Sequence, residues 1–457
     1  MFKPEKFAGQ KACVLGLGRS GREAARLLAR RGFSVLVSEE TQPEHIPDFP
    51  AGVEVETGGI SERVFACGFI IKSPGIFPQH PVLQEARKRK IPIFSELEMA
   101  IAFMPKNICI LAVSGTNGKT TTTSLLGAIL QDYVTEKKLP RRVFVSGNIG
   151  RPVAEVTDQI RTKDFLVLEV SSYQLEDSTF FRPKVACLLN ITPDHLDHHG
   201  GMENYIRAKA RLFKNQRAND FAVLNGGNAL CVELAAEIKA KLSAFSTQAS
   251  HSLKTDVFYD GDEIIFSAGY RLRPPKLKGI HNVENAMAAA LCALAVGVDA
   301  DAVQDMFDRF EPMEHRIEPC DKVRGIRFIN DSKATNIDST LTALRAFEKK
   351  QNIWLILGGR DKGASYAALA PEITPRCKGI LTIGESMDKI ARELKTPVPQ
   401  VRCTTLEQAV SYALAHGHEG DIVLLSPACS SFDQFKDFEE RGRIFKELVA
   451  KMKQLEI

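Results

Sequence analysis

The stretch SGTNGKTTTT, residues 114–123, places a lysine and a run of hydroxyls behind two glycines. Backbone N–H groups of such a loop, together with the N-terminus of a following helix, hold phosphate oxygens. Lys119 would neutralise them and the Thr120 hydroxyl would ligate Mg2+. Gly115, Thr116, Asn117, Gly118, Lys119, Thr120, Thr121 and Thr122 are the candidate nucleotide contacts. The strict G-x-x-x-x-G-K-[ST] spacing would put glycine at 113, where Val113 stands, so this loop is a variant.

Three further groups carry chemistry. FLVLEVSSYQLE ends an apolar run at Glu169, the place where a nucleotide-binding sheet holds a divalent cation. NITPDHLDHHGG crowds His195, Asp197, His198 and His199 together, ahead of a helical stretch that carries Lys209. By composition this cluster is a zinc site, a solvated charged loop, or part of something that also needs the basic residues that follow it. VLGLGRSGREAARLL holds Gly16, Gly18 and Gly21 in G-x-G-x-x-G spacing, and Glu39 ends the next apolar run. Such glycines let a backbone approach a pyrophosphate, and the acidic residue takes ribose hydroxyls; NAD or FAD is the first guess from the motif alone. SPGI at 73–76 follows another apolar run, where a ligand crevice would lie.

These groups need elements to position them. Short apolar runs alternate with helical stretches, the pattern of parallel α/β sheets. The runs are 11–16, 34–38, 69–73, 108–114, 165–171, 185–191, 353–357, 380–384 and 422–426. They fall into three groups, with breaks near Pro105 and near Pro312 and Pro319. The expected fold is α/β in three domains: a Rossmann-like domain over 1–106, a central P-loop ATPase-type domain over 107–312, and a Rossmann-like domain over 313–457.

Composition narrows the function classes. Hydrophobic content of 44% and charged content of 25% are those of a soluble globular chain. A net charge of +4 over 457 residues offers no concentrated basic face for nucleic acid or membrane, and RKRK at 87–90 reads as a solvated helix end. The N-terminus lacks a signal peptide's apolar core, and the run 286–298 is too short to span a bilayer. Ten scattered cysteines without a C-x-x-C pair suggest reduced, buried thiols and a cytoplasmic location.

GTNGKTTT, GNIG (147–150), LEVSSYQLE, NITPDHLDHH, YIRAKARLF, GIHNVENAMAAA, EHR and NDSKATN occur in the order found in the Mur ligases and their folylpolyglutamate synthase cousins. The chain resembles that family over almost its whole length. GLGRSG and LLSPACSSFDQFKDFEERGRIF are similar to the branch that adds D-glutamate to UDP-N-acetylmuramoyl-L-alanine in peptidoglycan precursor synthesis.

The resemblance implies an ATP-dependent amide ligase working through an acyl phosphate, with two Mg2+ ions (Mn2+ being an alternative). Thr120 and Glu169 would hold one ion, and His195 the second. Lys209 matches a lysine that the family carries as a carbamate, an anion able to bind or orient that second ion; forming it requires the unprotonated amine. Lys119, Glu169, His195 and Lys209 become the catalytic set, while His198 and His199 are assigned to the loop. A zinc site is set aside, because zinc needs three or four converging ligands, which a short loop does not supply.

Asn282 and Asn285, on one face of a helix, would meet adenine or ribose; Arg316 and Asp331 would contact ATP phosphates and ribose. The first glycine motif would then bind a uridine diphosphate sugar through Gly16, Leu17, Gly18, Arg19, Ser20, Ser38, Glu39, Ser73 and Gly75, with Asn148 nearer the acyl end. Lys333, Thr335, Lys362, Ser431 and Phe438 match positions that hold D-glutamate, whose two carboxylates need more than one donor. Cys429 is assigned a packing role rather than that of a nucleophile. A monomer is expected. An NAD-dependent oxidoreductase would leave SGTNGKT unexplained, and a nucleotide switch or motor would hydrolyse ATP without a carboxylate or amine substrate.

Overall fold

Each apolar run becomes a strand because its β-branched and aliphatic side chains are covered on both sides by helices. The computed structural model describes residues 2–43, 45–148, 150–247, 253–277, 279–311 and 314–454. The expected break at 312–313, with Pro312, lies outside the described residues, as does Ile149 of GNIG.

Three sheets form. The first comprises β1 (Ala12–Leu15), β2 (Val35–Glu39), β3 (Val53–Thr57), β4 (Phe69–Lys72) and β5 (Ile93–Ser95), all parallel, in the order β3-β2-β1-β4-β5. The second comprises β6 (Cys109–Ser114), β7 (Val143–Gly147), β8 (Phe165–Glu169), β9 (Val185–Leu188), β10 (Phe221–Asn225) and β11 (Lys241–Ser246), with β12 (Val257–Tyr259), β13 (Ile264–Phe266) and β14 (Arg271–Leu272) at one edge. Its order is β14-β13-β12-β11-β10-β9-β6-β8-β7. The third comprises β15 (Glu318–Val323), β16 (Ile326–Asn330), β17 (Ile353–Gly358), β18 (Cys377–Ile383), β19 (Gln400–Thr404) and β20 (Ile422–Leu425), in the order β15-β16-β20-β17-β18-β19 with β15 antiparallel.

Each of the nine runs read from the sequence overlaps a strand, several running one to three residues past its end. Those missed are mostly short or half-exposed: VEVET of β3 alternates apolar with acidic residues, and β12 to β14 hold only two or three residues each.

The chain divides into two compact units. One contains 1–191, 198–275 and 282–310; the other contains 192–197, 276–281 and 311–457. The first two sheets therefore share a unit, and one apolar cluster runs through both, from Val14 and Phe69 to Leu166 and Leu188. In the second unit, apolar clusters around Leu355 and Leu424 and around Phe328 and Phe445 cover the sheet. All ten cysteines are free, most of them buried. Among the described residues no helix is long and apolar enough to cross a membrane.

Candidate active site

In the first unit, β6 runs into the loop 115–118, and the 18-residue helix Lys119–Glu136 begins directly after it. Gly118 caps this helix in the left-handed region, φ 83°, and a Cβ there would sit 2.2 Å from Asn285 Oδ1. Any other residue here is strained and must displace Asn285. Asn190 clamps the loop from outside: its backbone carbonyl accepts from Thr116 N at 2.9 Å, its Oδ1 from Asn117 N at 2.8 Å, and its Nδ2 donates to Asn117 O at 3.1 Å. Nothing in the spacing of NITPDH singles out Asn190 for this role.

Two ammonium groups converge on one carbonyl of the loop. Lys119 Nζ donates to Gly115 O (2.9 Å) and Thr116 O (2.6 Å), and Lys209 Nζ donates to Gly115 O at 2.7 Å. Lys209, on the helix Met202–Ala210, is fully buried, with Nζ 4.7 Å from the centre of the Tyr205 ring. By residue type a lysine on an amphipathic helix belongs at the surface; this one is instead buried against the loop 115–118. Tyr205, absent from the predicted set, also meets Thr116, hydroxyl to hydroxyl, at 2.9 Å.

Strand register sets Glu169 beside Val113, one strand over from the loop. Its carboxylate is buried; Oε1 accepts from Asn148 Nδ2 at 2.8 Å, while Oε2 has no hydrogen-bond partner. A buried carboxylate oxygen without a partner is costly. A divalent cation would relieve that cost, and the lysine-lined loop suits an anionic triphosphate, so the residues present fit MgATP. Thr120 is buried at the start of the helix. Thr122 Oγ1 donates to Asn285 Oδ1 (3.2 Å), and Asn285 Nδ2 to Asn282 Oδ1 (3.1 Å), which joins the adenosine candidates to the loop.

The glycine motif of the first sheet is also assembled. Gly16 turns the chain at φ 93°, and a Cβ on Gly21 would lie 2.0 Å from Gly16 O, so only glycine lets the helix Arg19–Arg30 approach. Leu17 N donates to Glu39 Oε2 at 2.7 Å. Burial opposes the Glu39 charge, but bonds from Leu17 and Thr41 outweigh it and hold the carboxyl below its usual range. Glu39, expected to meet ribose, thus already braces the glycine loop. Ser38 is buried and donates to Glu56 Oε1 at 2.6 Å, so its hydroxyl is engaged within the protein. Ser73 Oγ reaches Gly16 O at 3.4 Å, which sets the 73–76 turn against the loop; Gly18, Arg19, Ser20 and Gly75 border the same turns.

The histidine cluster requires a correction. His198 and His199 are not loop residues: they end the short helix Leu196–His199, and both are buried. His198 Nε2 is 3.2 Å from Glu176 Oε2, and His199 Nδ1 is 3.4 Å from Glu176 Oε1. Ligand atoms of these three residues lie within 4.8 Å of one another, so two histidines do converge, with the third partner supplied from SSYQLE. His195, at φ 54°, belongs to the second unit, where its Nε2 lies 3.4 Å from Asp194 Oδ2.

The amino-acid candidates all belong to the second unit. Lys333 Nζ lies 4.4 Å from the Phe438 ring centre, and Thr335 N donates to Lys333 O at 2.9 Å. Lys362 pairs with Asp194 at 3.9 Å, and Ser431 is buried. Fully buried Arg441 ties the segment before Lys333 to that before Ser431, donating to Ser332 O (2.8 Å), Ser332 Oγ (2.9 Å) and Cys429 O (3.2 Å). Burial lowers its pKa to about 10, which leaves it charged at neutral pH. Asp331 accepts from Ser426 Oγ (2.8 Å) and Ile317 N (3.2 Å); burial raises it to about 7, with nearby Arg316 opposing. His281 is held neutral, lowered to about 4 by burial and the Arg316 charge. Cys429 is buried against Tyr366 Oη at 2.8 Å, in keeping with a packing role.

A lysine-flanked loop before a helix, a buried carboxylate with an open oxygen and a second glycine turn are the features of a nucleotide-binding α/β protein. Three family models match in sequence order: the MurD-like N-terminal domain of Mur ligases over 10–95, the Mur ligase middle domain over 113–293 and the Mur ligase glutamate ligase domain over 315–429. The chain belongs to the Mur ligase family. It is 52% identical to the UDP-N-acetylmuramoylalanine--D-glutamate ligase of Elusimicrobium minutum, over 98% of this chain and 99% of that one. It is 43% identical to the protein of the same name in Koribacter versatilis, over 98% and 99%. The fold is that of solved relatives: a pseudomurein peptide ligase type C from Methanothermus fervidus (TM-score 0.62, 17% identity, 97% and 100% covered) and the UDP-N-acetylmuramate-alanine ligase of Thermotoga maritima (0.60, 18%, 97% and 99%).

Proposed function

We propose that this chain is the ligase that joins D-glutamate to UDP-N-acetylmuramoyl-L-alanine, cleaving ATP to ADP and phosphate, in peptidoglycan precursor synthesis. The observation that carries this reading is end-to-end identity of 52% with a ligase of that name. A carboxylate is a poor electrophile near neutral pH, so its activation as an acyl phosphate precedes attack by the amine. Catalysis of the first step is mostly positioning and charge neutralisation among several anions.

The site residues suit that task. Lys119 and the N–H groups at the start of the helix Lys119–Glu136 would cradle the ATP phosphates. Thr120 and Glu169 would hold one Mg2+ and His195 a second, supplying charge neutralisation at the phosphates. Lys209 is our candidate for a carbamate, and its seclusion beside Gly115 O would protect such an adduct from solvent. The Gly16–Gly21 turn and the Ser73–Gly75 turn are assigned to the UDP-sugar, Asn282, Asn285, Arg316 and Asp331 to ATP, and Lys333, Thr335, Lys362, Ser431 and Phe438 to D-glutamate. Residues 1–106, 107–312 and 313–457 are the corresponding domains of a cytoplasmic monomer.

Purified protein tests this directly. ADP release should require ATP, Mg2+, the UDP-sugar and an amino acid together, with D-glutamate preferred over L-alanine, meso-diaminopimelate and L-lysine. Preference for another amino acid would assign the chain to a different branch, and ADP release without acceptor would indicate an ATPase.

A further inference from the structure

We propose that Glu176 and Lys72 form a positioning pair that locks the 73–76 turn, and with it the sugar-nucleotide contacts Ser73 and Gly75, against the helix that ends in His198 and His199. The inference rests on the sugar-nucleotide reading of that turn given above.

Lys72 ends β4, a strand whose neighbours are apolar, yet its side chain is 1% exposed. The ammonium donates to Ile76 O at 3.0 Å and Glu176 Oε2 at 3.0 Å, and forms an ion pair with Asp177 Oδ2 at 2.8 Å without a well-aligned hydrogen bond. The bond to Ile76 O fastens the far end of the turn, whose near end is held by Ser73 N on Leu15 O (3.0 Å) and which closes with Ile76 N on Ser73 O (3.2 Å). Ser73 in turn contacts Gly16 O of the glycine loop. Lys72 therefore ties the 73–76 turn, and through Ser73 the glycine loop, to SSYQLE.

Glu176 receives donors from both directions. Lys72 and His198 Nε2 (3.2 Å) address Oε2, and His199 Nδ1 (3.4 Å) faces Oε1, while Ser172 Oγ meets His199 Nε2 at 2.9 Å. Burial opposes the Glu176 charge, but the histidine bonds and the Lys72 charge outweigh it and hold the carboxyl well below its usual range. The His198 ring lies between Tyr173 (4.0 Å) and Phe77 (4.9 Å), and Phe77 directly follows the turn, so packing adds a second connection. The ligand atoms of Glu176, His198 and His199 also lie within 4.8 Å of one another, so a metal ion bound here would compete with these contacts. A breach in this network leaves a charge buried without its partner and frees the turn to move.

Lys72→Met, Glu176→Gln and the double variant test the pair through steady-state kinetics with each substrate varied in turn. Displacement of contacts by about 1 Å is enough to raise KM for the UDP-sugar about tenfold or more, whereas KM for ATP and D-glutamate should stay within about twofold. The double variant should be no worse than the poorer single one, because the two residues act as one unit. If Lys72→Met does not fold, Glu176→Gln and the double variant, in which the glutamate charge is also absent, carry the same test. Equal changes in all three KM values, or a lower melting temperature with unchanged kinetics, would overturn the proposal. Stabilisation of the wild type by Zn2+ that His199→Ala abolishes would overturn it in favour of a metal site. A wild-type protein with no sugar-dependent turnover would instead refute the functional reading beneath it.

Discussion

Gly118→Ala isolates the geometry of the phosphate loop. At φ 83° an L residue is strained by about 1–2 kcal/mol. The new Cβ would lie 2.2 Å from Asn285 Oδ1, so Asn285 must withdraw. Its bonds with Thr122 (3.2 Å) and Asn282 (3.1 Å) are then lost or lengthened. Each such bond contributes about 1 kcal/mol, giving a total near 3–4 kcal/mol. Gly32 is a matched control: it has the same φ of 83° but open space where the Cβ would go. Gly32→Ala should therefore show the dihedral strain alone. At about 2–4 °C per kcal/mol for a domain of this size, differential scanning fluorimetry should find the Gly118 variant several degrees below the Gly32 variant. Its KM for ATP should rise at least about tenfold, equivalent to 1.4 kcal/mol, with no rise for Gly32→Ala. Equal melting temperatures and equal KM values for the two variants would refute the claim that the Gly118–Asn285 contact shapes the nucleotide site.

Other perturbations read out other parts of the site. Glu169→Gln keeps an acceptor for Asn148 but removes the charge, so the Mg2+ concentration giving half-maximal rate should rise at least about tenfold; an unchanged Mg2+ titration would exclude Glu169 as a ligand. Lys209→Ala should lose about a hundredfold or more in kcat, with partial recovery on adding a short-chain carboxylate, because positioned charge at a phosphoryl-transfer site has effects of this order; near-wild-type turnover would remove Lys209 from the site. Buried Glu96, which accepts from Ala154 N at 2.6 Å, is raised by burial to about 7. Its folded value exceeds its unfolded one, so stability is fully present below about pH 4.5 and declines as pH rises towards 7. The loss amounts to about 3 kcal/mol, and Glu96→Gln should abolish that part of the pH dependence of melting temperature.

Much of this site is legible in the sequence because its chemistry is local. Gly118, Lys119 and Thr120 are contiguous, and Gly16, Gly18 and Gly21 follow one strand, so spacing alone indicates a phosphate-binding turn. Glu169 ends a strongly apolar run, and strand topology then brings it beside the loop. Asn190, Tyr205, Lys72 and Arg441 were not foreseen. Each acts on a partner far away in the chain, and nothing in a lysine that ends FIIK signals an ion pair with residues 176 and 177. His198 and His199 were misplaced for the same reason: their burial depends on Glu176, Tyr173 and Phe77, all outside the HLDHH stretch. The half-exposed strand β3 and the short edge strands β12 to β14 lack the continuous apolar run that revealed the buried strands.

The most direct test of the proposed reaction is to follow an oxygen atom. UDP-N-acetylmuramoyl-L-alanine labelled with 18O in its free carboxylate is incubated with the protein, ATP, Mg2+ and D-glutamate, and the products are weighed by mass spectrometry. The expected result is an amide product that has lost one 18O and inorganic phosphate that has gained it, because the carboxylate oxygen bonded to phosphorus leaves with the phosphate. Unlabelled phosphate, or no amide with D-glutamate, would contradict the proposed reaction.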